Sequence, residues 1–208
     1  MEQNGKGMRM NNKDWSGNKR SVYTTLGTNH NETEREHNDF YATDPKAMEL
    51  LLDQETFSNN IWECACGAGH LSRILESHGY NVLSTDLIYR GYGLEKSVDF
   101  LKDDFPTYNG DIITNPPYKY ALEFIQKALD MIPRGHKVAM FLKLQFLEGK
   151  RRKGFFLKNP PKTIYVSSSR IQCAMNGEFE KYGSSAVAYA WYIWVKGHKG
   201  DPVIKWMN

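Results

Sequence analysis

Apolar residues recur along this chain in short blocks whose spacing alternates between that of buried strands and that of amphipathic helices. The pattern predicts strands over Asn60–Cys64, Asn81–Asp86, Asp111–Thr114, Lys137–Lys143, Thr163–Ser167 and Ala186–Val195. Between them it predicts helices over Lys46–Leu52, His70–Ser77 and Ala121–Ile132, the last with Leu122, Ile125, Leu129 and Ile132 along one stripe. Asp44 and Pro45 read as an N-cap and a first helical position, while Gly79 and Pro133-Arg134-Gly135 read as stops. Strands alternating with helices imply an α/β domain with a mostly parallel sheet and helices on both faces.

Residues 1–38 break this rhythm. They are polar, rich in Asn, Gly, Lys and Glu, and cannot bury enough surface to fold alone. A largely flexible N-terminal segment ahead of a single domain over 39–208 is therefore expected, and 208 residues leave no room for two full-sized domains. The net charge of +3 is too small to indicate nucleic acid by itself. Three cysteines with no CxxC spacing point to a reduced chain without a disulfide framework, and no metal site is expected. No apolar run approaches membrane-spanning length, so a cytoplasmic location with no membrane partner is expected.

Two features sit where an open α/β sheet binds ligands, at the carboxyl ends of its strands. The turn from Glu63 and Cys64 to Gly67, Ala68 and Gly69 follows the first of these strands, and its glycines permit close approach of a ligand to the backbone. The second strand ends in Asp86, whose carboxylate can accept both hydroxyls of a ribose. A third glycine of the kind a pyrophosphate requires is absent, which favours a nucleoside without phosphates. Asp99 and Phe100 could accept from an adenine amine and cover its ring.

The most specific signal is the strand Asp111–Thr114 running into Asn115-Pro116-Pro117-Tyr118. Each proline restricts the residue before it, so the loop is stiff before a substrate arrives. The Asn115 side-chain oxygen and the Pro116 carbonyl can then converge on one aromatic amine, whose lone pair is delocalised and weakly nucleophilic. Two acceptors on its hydrogens favour a pyramidal nitrogen that can attack an activated methyl group. Tyr118 offers a flat face to the base, and a base in a duplex must flip out to reach it.

These residues resemble the amino-methyltransferases that use S-adenosylmethionine, and in particular small phage- and mobile-element-type DNA N6-adenine methyltransferases. The resemblance runs from about Ser21 over most of the chain, including Phe146–Gly149 and Ala188–Gly197. It implies a Rossmann-like class I methyltransferase fold with a mostly parallel seven-stranded sheet. It also implies S-adenosylmethionine contacts at Tyr41, Thr43 (to the methionine carboxylate), Glu63, Cys64, Gly67, Gly69, Asp86, Leu87, Asp99, Phe100 and Asn115. The expected reaction is methylation of adenine N6 in DNA. RNA adenine and, further off, protein glutamine are the alternative targets.

The chain departs from that pattern in size. Short insertions at about 149–185 take the place of a full target-recognition domain. The densest positive cluster, Lys150-Arg151-Arg152-Lys153, is interleaved with Phe155 and Phe156. Together with Arg170 it forms the expected nucleic-acid contact.

Overall fold

The computed structural model describes residues 41–171, 173–175 and 187–208. The segment 1–38, expected to be flexible, lies outside the described residues, as do 176–186. In chain order the elements are β1 (Tyr41–Thr43), α1 (Lys46–Leu52), β2 (Asn60–Glu63), α2 (His70–Ser77), β3 (Asn81–Ser84), β4 (Asp111–Thr114), α3 (Ala121–Met131) and β5 (Lys137–Lys143). The chain continues with α4 (Lys150–Lys158), β6 (Thr163–Ser167), β7 (Cys173–Met175), β8 (Tyr189–Val195) and β9 (Val203–Met207). Short 3₁₀ turns cover Tyr118–Tyr120 and Leu144–Leu147.

Seven strands form one sheet in the order β3-β2-β4-β5-β8-β6-β9, and β1 pairs antiparallel with β7 in a separate ribbon. Strand β8 runs against both its neighbours; the other pairings in the large sheet are parallel. This is the mostly parallel seven-stranded sheet expected from the sequence. The chain leaves β2 towards β3 and then returns to place β4 on the other side of β2. The strand order therefore switches between β2 and β4, the point beyond whose carboxyl ends open α/β sheets form their ligand crevice.

Alternate residues of each central strand feed two cores. Ile112, Val138, Met140, Tyr192 and Trp194 face Phe124, Ile125 and Ala128 of α3, with Phe155 and Phe156 of α4 beside them. Ile113, Ala139, Phe141, Trp191 and Ile193 face Ala47, Met48 and Leu51 of α1 and Leu71 and Leu75 of α2. Burial on both faces explains why β5 and β8 are almost continuously apolar. At the head of α1, the Asp44 carboxylate accepts from the Lys46 backbone N–H at 3.0 Å, as a capping residue should.

The sequence pattern did not disclose four elements. Strands β1 and β7 are three residues each and show no period. Strand β9 is an edge strand with Ile204 and Trp206 50% and 69% exposed, so it carries no buried alternation. The basic cluster forms the first turn of α4, a helix with no buried residue to impose a period. Of the segment expected to be insertions at 149–185, residues 150–167 supply α4 and the sheet strand β6.

Two buried carboxyls have opposite surroundings. Asp111, at the start of β4, accepts from the backbone N–H of Ser58 at 2.6 Å and of Lys137 at 2.7 Å, and His136 Nδ1 lies 3.0 Å away. It thus ties the segment before β2 and the start of β5 to β4. Glu63, at the end of β2, is 2% exposed and is met by the Ser72 hydroxyl, which in turn lies 2.7 Å from that of Ser84. Burial pushes its carboxyl from 4.5 up to about 8.

Replacing Asp111 with Ala strands buried backbone donors and should cost about 3 kcal/mol, measured as a shift of the urea midpoint; Asp111→Asn, which keeps one acceptor, should lose less. At Glu63 the folded state holds its proton up to about pH 8, whereas the unfolded chain releases it near 4.5. Stability should therefore fall as pH rises through that window. Glu63→Gln should flatten this dependence, with a higher Tm than the parent at pH 8 and a margin that shrinks towards pH 5.

Candidate functional site

The segments that leave the carboxyl ends of β2, β3, β4 and β5 border this switch point. After β2, the chain turns through Gly67 at φ 54° and Gly69 at φ 82°, the latter immediately before α2. The turn closes with the Gly69 N–H donating to the Cys66 carbonyl at 2.8 Å. Cys64 and Cys66 are free thiols buried beneath it. Glycine at position 69 has a reason other than the expected ligand approach: a Cβ there would collide with the ring of Tyr92. That ring is itself covered by the Arg73 guanidinium at 4.5 Å.

Asp86 follows β3 and is engaged with the protein. Its carboxylate accepts from the Gly67 N–H at 2.8 Å, the Ile88 N–H at 2.9 Å and Arg90 Nη1 at 3.1 Å. One carboxylate therefore holds the glycine turn against the end of β3. A carboxylate offers about four lone-pair positions, so capacity for a further donor remains. Next to it Leu87 is 52% exposed, with Tyr89 and Leu94 also presented to solvent. An acceptor beside an exposed apolar surface fits a nucleoside, whose sugar needs the one and whose base needs the other.

Asp99 and Phe100 are both engaged within the protein. Phe100 is 2% exposed and packs edge-on against Trp62 at 5.4 Å and beside Phe124 at 5.0 Å, so its ring faces are occupied by the core. Asp99 caps its own turn: its carboxylate accepts from the backbone N–H groups of Leu101 at 3.1 Å and Lys102 at 3.2 Å and pairs with Lys102 Nζ at 3.2 Å.

After β4, Asn115 is partly exposed and Pro116 buried. Asn115 Nδ2 donates to Thr43 Oγ1 at 2.8 Å, across 72 positions of sequence. Thr43 is 3% exposed, and its hydroxyl accepts from the carboxamide. Tyr41 belongs to the same strand, β1. Pro117 opens the 3₁₀ turn, with the Tyr120 N–H donating to its carbonyl at 2.9 Å.

Tyr118 is less open than a stacking platform would be. Its hydroxyl donates to Cys173 Sγ at 3.4 Å, its ring lies 6.0 Å from that of Tyr189, and Lys143 Nζ stands 5.0 Å from its ring centre. Burial raises the Tyr118 hydroxyl well above its ordinary range and the Cys173 thiol to about 11, so both stay neutral at physiological pH. Thr43, Lys143, Cys173 and Tyr189 come together around the loop only through strand pairing: Thr43 with Cys173, and Lys143 with Tyr189. The one local sign was a lysine closing the apolar strand β5.

Among the expected nucleic-acid contacts, Lys150, Arg151 and Lys153 lie on α4, which begins just past the end of β5, and all three are exposed. Arg152 turns back on its own turn. Its Nε donates to the Glu148 carbonyl at 2.8 Å and its guanidinium lies 4.8 Å over Phe146, so it fastens the start of α4. Arg170 is exposed beyond β6. Among the described residues no helix is long and apolar enough to cross a membrane.

No protein-family model matches the sequence, and no curated protein matches it. Solved structures do. A Listeria monocytogenes protein assigned as a class I S-adenosylmethionine-dependent methyltransferase superimposes with TM-score 0.51 at 12% identity, over 78% of this chain and 62% of its own. This chain thus spans less than two thirds of that protein's length. A Pyrococcus horikoshii protein assigned as an RNA methyltransferase gives 0.50 at 15% identity, over 73% of this chain and 81% of its own. A Lactococcus lactis protein assigned as a hemolysin gives 0.55 at 12%, over 77% of this chain and 91% of its own. Neighbours so differently described share an architecture rather than a substrate. The fold of this chain is the Rossmann-like fold of the class I methyltransferases.

Proposed function

We propose that this chain transfers a methyl group from S-adenosylmethionine to the N6 amine of adenine in DNA. One observation carries the reading: a carboxamide at the carboxyl end of β4, at the switch point, is followed by two prolines and has its NH₂ end committed to Thr43. That commitment leaves Oδ1, which is buried, as the acceptor end of Asn115, so the base must displace what covers it.

When bound, S-adenosylmethionine supplies an electrophilic methyl on a sulfonium. The chain's own residues orient the nucleophile. Asn115 Oδ1 and the Pro116 carbonyl would accept the two N–H bonds of the exocyclic amine, and their fixed dipoles would stabilise the positive charge that grows on nitrogen as the N–C bond forms and the methyl–sulfur bond breaks, its electron pair leaving with a neutral thioether. No strong base is needed beforehand, because the methylated nitrogen is acidic enough to lose its surplus proton to water. Asp86 and Leu87, next to the glycine turn, would hold the nucleoside part of the cofactor. Lys150, Arg151 and Lys153 attract the phosphate backbone, and the target base leaves its stack to enter the crevice.

Transfer of tritiated methyl groups to matched DNA and RNA oligonucleotides tests the reading: label is expected in DNA adenine, and label confined to RNA would reassign the substrate. Asn115→Ala should lower kcat by about 10²–10³-fold, the cost of losing one preorganised polar contact to the transition state, while the cofactor Kd in calorimetry stays within about twofold. Thr43→Val, equal in shape but without an acceptor, should lower kcat about tenfold with little change in cofactor Kd, and Thr43→Ser should restore it. A loss of cofactor affinity instead would return Thr43 to a cofactor role.

A further inference from the structure

A cavity adjoins the proposed catalytic corner without belonging to it. It encloses about 240 Å³ between the end of β6 and the start of β8, and Ser167, Ser168, Ser169, Arg170, Ala188 and Tyr189 are among the residues that line it. The topology puts it on the same edge of the sheet as Asn115. Strand β6 runs parallel to β5 and β4, so Ser167 ends β6 on the side where Thr114 ends β4. Tyr189 is a wall common to both places: it lines the cavity, pairs with Lys143, and sets its ring 6.0 Å from that of Tyr118.

The lining is hydroxyl-rich and carries one guanidinium, and it is held in shape. The carboxamide of Asn208 bridges the serine loop, accepting from the Ser168 N–H at 3.0 Å and donating to the Ser169 hydroxyl at 2.7 Å. The Ser167 hydroxyl donates to the Ser169 carbonyl at 2.6 Å. A loop fixed in this way keeps its remaining polar groups oriented before a ligand arrives, which lowers the entropy lost on binding. Serine hydroxyls with an arginine are the donors that fix phosphate oxygens in nucleic-acid complexes. Ile171, Val187 and Ala188 complete the lining on its apolar side.

Resting on the methyl-transfer reading, we propose that this cavity seats a backbone phosphodiester of the nucleic-acid strand whose base occupies the Asn115 corner. Strands β4 and β6 are separated by β5 and β8, a distance of about 14 Å at ordinary strand spacing. The phosphate held there is therefore a few nucleotides from the target, with Lys143 between the two positions on the end of β5. The contact is independent of sequence and sets the register of the strand.

The test is oligonucleotide binding by the full chain, measured by fluorescence anisotropy over a range of salt, with Arg170→Gln as the variant. Arg170 is exposed, and an unchanged thermal melt confirms the fold. The variant should bind about fivefold or more weakly at low salt, with a salt slope smaller by about one and an unchanged cofactor Kd. A neutral methylphosphonate placed at one of the few linkages beside the target should weaken the parent and leave Arg170→Gln indifferent. If the parent binds oligonucleotide and the variant keeps its affinity and slope, the subsite is wrong and the methyl-transfer reading stands. If the parent binds neither DNA nor RNA, both fall. If a mononucleotide displaces the strand as effectively as a second strand does, the cavity belongs to a small phosphorylated ligand and the proposal is overturned.

Discussion

Strand β4 is held at both ends, and the rest of the site is arranged around that constraint. At its start, the buried Asp111 carboxylate gathers backbone donors from the segment before β2 and from the first residue of β5. All four of its residues, Asp111 to Thr114, are buried, so it cannot slide without moving the sheet. At its far end Asn115 leaves the sheet into two prolines and is caught by Thr43 from β1. A carboxamide is a useful acceptor only if its rotation is stopped. Here the stop comes from a strand outside the main sheet, which β7 holds in place.

The opposite side of the crevice economises on polar groups. Asp86 does two jobs with one carboxylate: it fastens the glycine turn through the Gly67 N–H and leaves acceptor capacity at the mouth of the crevice. Glu63 lies behind the same turn, and its burial disfavours a second negative charge there. Glu63 thus stays neutral behind the turn while Asp86 stands in front of it. The close contact between Gly69 and Tyr92 shows that a glycine in such a turn can answer to packing within the protein as well as to a ligand.

How far the sequence could be read depended on how each residue is held. Strands β4, β5 and β6 and helices α1 and α2 were legible to the residue, because their burial imposes a clear period or a capped start. Strands β1, β7 and β9 were not, being short or exposed and having no buried face to impose a pattern. The polar loop Asn115-Pro116-Pro117-Tyr118 was legible because prolines state a backbone restriction locally. The partners of that loop were illegible because they arrive by pairing across long stretches of chain, as Thr43 does with Asn115. Phe100 went the other way: an aromatic residue after an acid suggested a ligand contact, but three-dimensional packing commits it to Trp62 and Phe124.

The most direct measurement is to express the chain in a host that lacks adenine methylation and to quantify methylated bases in the host's genomic DNA. N6-methyladenine should accumulate with the intact chain and be absent when Asn115 is replaced by Ala. Genomic DNA free of N6-methyladenine, from cells holding the folded protein and ample S-adenosylmethionine, would contradict the assignment of this corner to DNA adenine.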